Sequence, residues 1–191
     1  MREYDLITEW YASERVCQTG VPEVTALASS IPSGSRVFDI GCGNGIPITR
    51  ALLRAGHLVV GLDSSHAMLA RFRGNCPETP AVRGIVQSCP FADGVFDAAV
   101  AWGVMFHLKL EDQIKAIESV SRVLKPSAPF LFTSGDEDGF DGKENTMNGV
   151  LFRYFSFSID NYRRILADHG FTLLDVHVDS GNNTYYLATK G

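Results

Sequence analysis

Apolar positions along the chain gather into short, nearly unbroken runs, and the segments between them repeat with helical spacing. "RVFDI" (36–40), "LVVGL" (58–62), "AVRGIV" (81–86), "FDAAVAW" (96–102), "PFLFTS" (129–134), "FTLLDVHV" (171–178) and "TYYLAT" (184–189) read as seven buried strands. Helices are expected over 47–55, 65–73, 111–124 and 159–169, with two further amphipathic stretches near 3–15 and 21–30. Apolar strands alternating with helices predict a parallel sheet covered on both faces, because each parallel crossover needs a helix and right-handed connections place helices on either side. The last two strands are separated only by "DSGNN", too short for such a crossover, so the final strand should run antiparallel. That ending argues against an all-parallel dinucleotide fold. No repeat interrupts the pattern. The one irregular insertion is expected at "SGDEDGFDGKENTMNG" (134–149), dense in Gly, Asp and Asn.

Composition narrows the functional classes. The 191 residues suit one domain spanning 1–191, with 1–30 as an N-terminal helical cap and 135–157 as an insertion on the acceptor side. With 45% apolar residues, 20% charged residues and a net charge of −5, the chain reads as a folded protein with no surplus of cations for a nucleic-acid backbone. No apolar run reaches the roughly 20 residues of a membrane span, and the acids of "MREYDLITEWYASER" do not suit a signal peptide, so a cytoplasmic location is expected. Cys17, Cys42, Cys76 and Cys89 are widely spaced, which suggests neither a metal site nor a disulfide framework.

The chemistry concentrates at "RVFDIGCGNGIP" (36–47). Gly41, Gly43 and Gly45 follow the first strand, where backbone must approach a ligand closely in an open α/β sheet. The dinucleotide fingerprint needs glycine at the sixth position of the motif, and here that position is Ile46. Asp39 stands two residues before the loop, where an acid suits a ligand ammonium and would repel a pyrophosphate. Asp63 ends the second strand, placed to accept hydrogen bonds from two ribose hydroxyls. Its alternative role is the N-cap of the following helix, and that of the glycines a plain tight turn.

"VFDIGCGNGIP", "VVGLDSSHAMLARFR", "CPFADGVFDAAVAW" and "VSRVLKPSAPFLFTS" resemble, in order, the successive motifs of class I S-adenosylmethionine-dependent methyltransferases. The likeness is close over about 36–134, and the last twenty residues resemble that family's terminal β-hairpin. The resemblance implies a Rossmann-like three-layer α/β/α sandwich whose seven-stranded, mostly parallel sheet has the order 3-2-1-4-5-7-6. It implies that Asp39, Gly41, Cys42, Gly43 and Gly45 meet the methionine end of the cofactor, and Asp63, Ser64 and Met68 its sugar side. Val86, Gln87 and Ser88 would meet the adenine, with Ala101 and Trp102 alongside. Ile85 stands where the family commonly has an acid for the adenine amine, and "LKPSAP" replaces a frequent proline-glycine-glycine turn.

Methyl transfer from a sulfonium needs mainly positioning, so a dedicated base is optional and no metal is expected. "AWGVMFHL" supplies the candidates after the fourth strand. His107 is the candidate general base, since imidazole titrates near neutrality; the alternative is that it packs beside the next helix. Trp102, Phe106, His107 and Tyr154 are the candidate acceptor-binding residues, although aromatic residues at a strand end also serve as core. His57, His66, His169 and His177 have no partner pattern. In the first helix, Tyr4, Trp10, Tyr11 and Arg15 are available to close over the cofactor, Tyr11 and Arg15 as candidate contacts, or to pack on the sheet edge. The acids of 136–144 would favour a basic or zwitterionic acceptor, with Phe152, Tyr154 and Phe155 as an apolar wall; otherwise they are a solvated loop. The expected activity is methyl transfer to a small molecule, with oligomeric state open. The alternatives are a non-catalytic binder of the nucleoside and a nicotinamide-dependent oxidoreductase, which the loop and the antiparallel ending oppose.

Overall fold

A computed structural model describes residues 3–14, 18–138 and 140–191. Two helices, α1 (Glu3–Glu14) and α2 (Val21–Ser30), precede the alternating run β1 (Arg36–Ile40), α3 (Ile48–Arg54), β2 (Leu58–Asp63), α4 (His66–Asn75), β3 (Ala81–Arg83), β4 (Ala98–Ala101), α5 (Leu110–Val123) and β5 (Pro129–Ser134). Then come β6 (Phe140–Met147), β7 (Val150–Ser156), α6 (Ile159–Asp168), β8 (Phe171–Val178) and β9 (Thr184–Lys190). Seven strands form one sheet in the order β3-β2-β1-β4-β5-β9-β8. Counted within that sheet alone, this is the 3-2-1-4-5-7-6 order that the resemblance implies. β1 to β5 run parallel, and β9 lies antiparallel between β5 and β8.

Successive strand residues point to opposite faces, and the two cores follow that period. Phe38, Ile40, Ala99, Phe130, Phe132 and Tyr186 face one way, toward Ile117 and Val120 of α5 and Leu166 of α6. Val37, Val59, Val100, Leu131 and Tyr185 face the other, toward Leu27 of α2 and Leu52 of α3. Asp39 shares the second parity, so its carboxylate is carried to the α3 side.

Two expected strands are shorter than their apolar runs. Val86–Ser88 forms a single 3-10 turn instead of extending β3. Phe96 makes only an isolated bridge to Leu124, so β4 is reduced to Ala98–Ala101.

The larger difference lies at 134–149, expected as irregular loop. It contains β6, which pairs with β7 as a separate two-stranded antiparallel hairpin. Asn148 and Gly149 form its two-residue connection with φ of 46° and 77°, the left-handed pair that matches the twist of flanking strands. Asn-Gly between Met147 and Val150 is a hairpin signal, masked in the sequence by the polar composition of β6. Two of the insertion acids make bonds within the fold. Asp138 accepts from the Ser158 amide at 2.7 Å and from Asn161 Nδ2 at the start of α6, and Glu144 pairs with Arg153.

Gln113 of α5 ties the hairpin to the main body. Its Nε2 donates to the carbonyls of Leu108 (2.9 Å) and Phe155 (3.0 Å), and its Oε1 accepts from the Tyr162 hydroxyl. Gln113 is wholly buried, so each of these bonds replaces hydration lost on folding. No helix among the described residues is long and apolar enough to cross a membrane.

Candidate functional site

A cleft of about 490 Å³ opens at the carboxyl ends of β1, β2 and β4, the place where open α/β sheets take ligands. Asp39, Gly41, Cys42 and Gly43 line it from β1 and its loop, and Asp63, Ser64 and Met68 from β2 and α4. Val86 and Gln87 follow from the turn after β3, Trp102 and His107 from the segment after β4, and Tyr11 from α1.

The glycine loop contributes space more than donors. The amides of Gly41 and Cys42 both donate to Leu62 O, at 2.7 and 3.1 Å, and Gly43 N donates to Asp63 Oδ2 at 2.9 Å. A Cβ at Gly43 would meet nothing nearer than Gly41 O at 4.0 Å, so the missing side chain leaves a bare shelf open to the cleft. Gly45 does a different job. A Cβ there would stand 2.9 Å from Cys76 Sγ and 3.1 Å from Phe72, so Gly45 admits the packing of α4 behind the loop and does not line the cleft.

Two acids flank the shelf. Asp39 is 2% exposed, and its Oδ2 accepts from the Thr49 hydroxyl at 2.5 Å. Burial, with the Asp63 charge adding to it, raises its carboxyl to about 7. A buried acid so placed gains by meeting a ligand cation, which restores the ionised form. Asp63 is also raised by burial, while the amides of Ser65 and Gly43 favour its ionised form. Each of its oxygens accepts one of those amides and retains a lone pair for a ligand hydroxyl. Asp63 is not the N-cap of α4: Ser65 is, its Oγ accepting from Met68 N at 3.0 Å. Burial and the two neighbouring carboxylates push the Cys42 thiol up, so it stays protonated and serves as wall.

An adenosyl amino acid fits this set on three counts: the open shelf at Gly43, the buried acid Asp39 for an ammonium, and Asp63 for a ribose. Ile85 and Ile46 also line the cleft and are 51% and 37% exposed, an apolar edge suited to a purine.

Several of the residues expected at the site stand elsewhere, each for a physical reason. Ala101 is fully buried on the α5 face of β4. Ser88, at the end of the 3-10 turn, faces a shallow groove with Lys115 and Glu118. Phe106 and Tyr154 line a second cavity beyond the cleft. Arg15 lies outside the described residues. Trp102 touches the cleft with one side while its Nε1 donates to Tyr185 Oη at 3.0 Å, so it is partly core.

The sequence did not disclose how α1 is held over the cleft. Tyr4 Oη lies 3.0 Å from His107 Nε2, and the Tyr4 ring packs edge-on against Tyr11, His107 and Phe152. The next residue, Asp5, accepts from Ser65 Oγ at 2.5 Å and Ala67 N at 3.2 Å at the start of α4, and Glu9 pairs with Arg71. Asn44, inside the glycine motif, lines the cleft as well, as do Lys109 and Asp112, which no motif marks.

A Rossmann-like sheet with an acid-flanked, side-chain-free shelf defines a binder of an amino-acid nucleoside. The methyltransferase domain family matches residues 37–127, where the chain carries a class I S-adenosylmethionine-dependent methyltransferase domain. It is 33% identical over 133 residues to a tRNA (carboxymethyluridine(34)-5-O)-methyltransferase of Arabidopsis thaliana, covering 69% of this chain and 31% of that enzyme. It is 37% identical over 94 residues to a demethylmenaquinone methyltransferase of Corynebacterium kroppenstedtii, covering 49% of this chain and 38% of the relative. The chain thus spans less than half the length of these curated relatives. Among solved structures, a Burkholderia thailandensis 1,6-didemethyltoxoflavin-N1-methyltransferase with bound 1,6-didemethyltoxoflavin and S-adenosylhomocysteine shares the fold. Its TM-score is 0.75 at 20% identity, over 98% of this chain and 86% of that one.

Proposed function

We propose that this protein binds S-adenosylmethionine in the cleft and transfers its methyl group to a small molecule. The observation that carries the reading is the pairing of Asp39 and Asp63 across a loop whose Gly43 leaves an open shelf. Asp39 would take the ammonium, Asp63 the ribose hydroxyls, and the slot formed by Met68, Ile85 and Val86 the adenine. When bound, that group would supply a methyl carbon activated by its sulfonium, open to in-line attack by an acceptor's electron pair as the thioether sulfur leaves with the carbon–sulfur pair. The residues of this chain position and dehydrate. Helix α1 serves as a cap that excludes water, and the β6–β7 hairpin stands on the acceptor side. His107 is the candidate proton acceptor, with the Tyr4 hydroxyl 3.0 Å from its Nε2. The net charge of −5 favours a small acceptor over a polynucleotide.

Calorimetry against S-adenosylhomocysteine and NAD tests the core of this reading. One site for the former and none for the latter are expected. Binding of NAD alone, or of neither, removes the proposal, and binding without methyl transfer to any acceptor would mark a non-catalytic nucleoside binder.

A further inference from the structure

Beyond the ring of His107 lies a second cavity of about 520 Å³, walled by Phe106 and the β6–β7 hairpin and floored by the end of β5. The two chambers adjoin. The adjacent Phe106 and His107 rings are tilted against each other with centroids 4.6 Å apart, and Tyr154 stands 5.1 Å from His107 and 5.7 Å from Phe106. Gly103 of the cleft donates its amide to Thr133 Oγ1 of the second cavity at 2.8 Å, so the two linings meet at that bond. A Cβ at Gly103 would meet nothing within 4 Å, which leaves the junction open.

Resting on the methyltransferase reading, we infer that this second cavity is the acceptor chamber and that it selects an uncharged, planar aromatic ring carrying hydrogen-bond acceptors. Phe106, Tyr154 and Phe155 give the chamber an apolar aromatic wall, which suits a ring lying against it. Its polar side consists of hydroxyls and carboxamides. Thr133 Oγ1 accepts from Gly103 and keeps its own proton to donate; Asn145 Oδ1 accepts from Thr146 N at 2.8 Å, leaving Nδ2 to donate. Ring carbonyls or ring nitrogens match those donors. Among the described lining residues the only charged side chain is Glu144, and its carboxylate is held by Arg153 at 3.1 Å. A carboxylate or phosphate entering the chamber would lose hydration without gaining a cation, and a cationic acceptor would have to compete with Arg153. Of the insertion acids expected from the sequence to attract a basic acceptor, Asp138 is bonded to the start of α6 and Glu144 pairs with Arg153.

The test is titration calorimetry on the full chain saturated with S-adenosylhomocysteine, using three small probes and total tRNA. The probes are 4-quinazolinone, its 2-carboxylate, and 4-aminoquinoline, which is cationic at neutral pH. Expected is tightest binding of 4-quinazolinone, with the carboxylate at least about tenfold weaker. Tyr154→Ala should weaken the neutral probe about tenfold, and Asn145→Lys should shift preference toward the carboxylate, both with unchanged affinity for S-adenosylhomocysteine. If the wild-type chain does not bind S-adenosylhomocysteine, the methyltransferase reading itself fails. If it does, but a charged probe or tRNA alone binds best, or neither variant changes the ranking, the acceptor chamber as described is overturned.

Discussion

Tyr4 Oη lies 3.0 Å from His107 Nε2, joining the first helix to the turn after β4 across 103 positions of chain. One residue further on, Asp5 fastens the same helix to Ser65, two residues from Asp63. Adjacent residues of α1 therefore grip both sides of the cleft. Tyr4→Phe keeps the ring contacts and removes the hydroxyl, a loss of about 1 kcal/mol from the closed cap. A several-fold rise in the dissociation constant for S-adenosylhomocysteine is expected, with faster amide exchange in α1; unchanged exchange would show that the bond does not hold the helix.

Asp39 makes cofactor affinity depend on pH. With its carboxyl raised to about 7 in the unliganded protein, the acid is neutral below that value and meets a ligand ammonium poorly. Affinity for S-adenosylhomocysteine should rise as pH climbs from about 6 to about 8. Stability of the unliganded protein runs the opposite way. A folded-state pKa raised above the unfolded value of about 3.9 gives stability that is full below that value and is lost as pH rises through about 7. Asp39→Asn should flatten both profiles and weaken binding by roughly tenfold to a hundredfold. Parallel melting and binding series at several pH values check both signs.

Gly43 and Gly45 should separate in their effects although they are two residues apart. Both have positive φ, 53° and 83°, so alanine strains either position by about 1 kcal/mol. At Gly45 the added methyl also collides with Cys76 and Phe72, so Gly45→Ala should lower the melting temperature by several degrees more than Gly43→Ala. Gly43→Ala, whose methyl enters open cleft, should cost more in cofactor affinity. Equal losses of affinity at equal stability would contradict this division of labour.

Gln113→Leu should be among the most destabilising single changes in α5. It strips the donors from two buried carbonyls and the acceptor from Tyr162, a loss of about 3 kcal/mol, or roughly 6–12 °C in melting temperature for a chain of this size. Differential scanning calorimetry measures it. A fall of only a degree or two would mean that water replaces the lost partners.

Much of the sheet was legible because a strand buried on both faces must be apolar at nearly every position, and β1 and β5 have the boundaries that those runs give; β8, mostly exposed at the sheet edge, keeps its expected boundaries too. β6 escaped because a hairpin with solvent on one side needs little apolar sequence, and its Asn-Gly connection was read as loop composition. At the site, Asp39 and Asp63 were visible because they abut a motif. Gln113 and Asn145 were not, since nothing in their neighbours along the chain sets them apart, and Tyr4 was named as part of the first helix without its partner His107.

The sequence alone determined the class of fold and the two acids flanking a side-chain-free turn, because these follow from local hydrophobic period and from spacing measured along the chain. Only the tertiary structure decided which side chains share a chamber: that Gly45 serves packing, that Tyr4 reaches His107, and that Glu144 is consumed by Arg153. Such pairings join residues brought together by the sheet order, and chain-local pattern carries no measure of that distance.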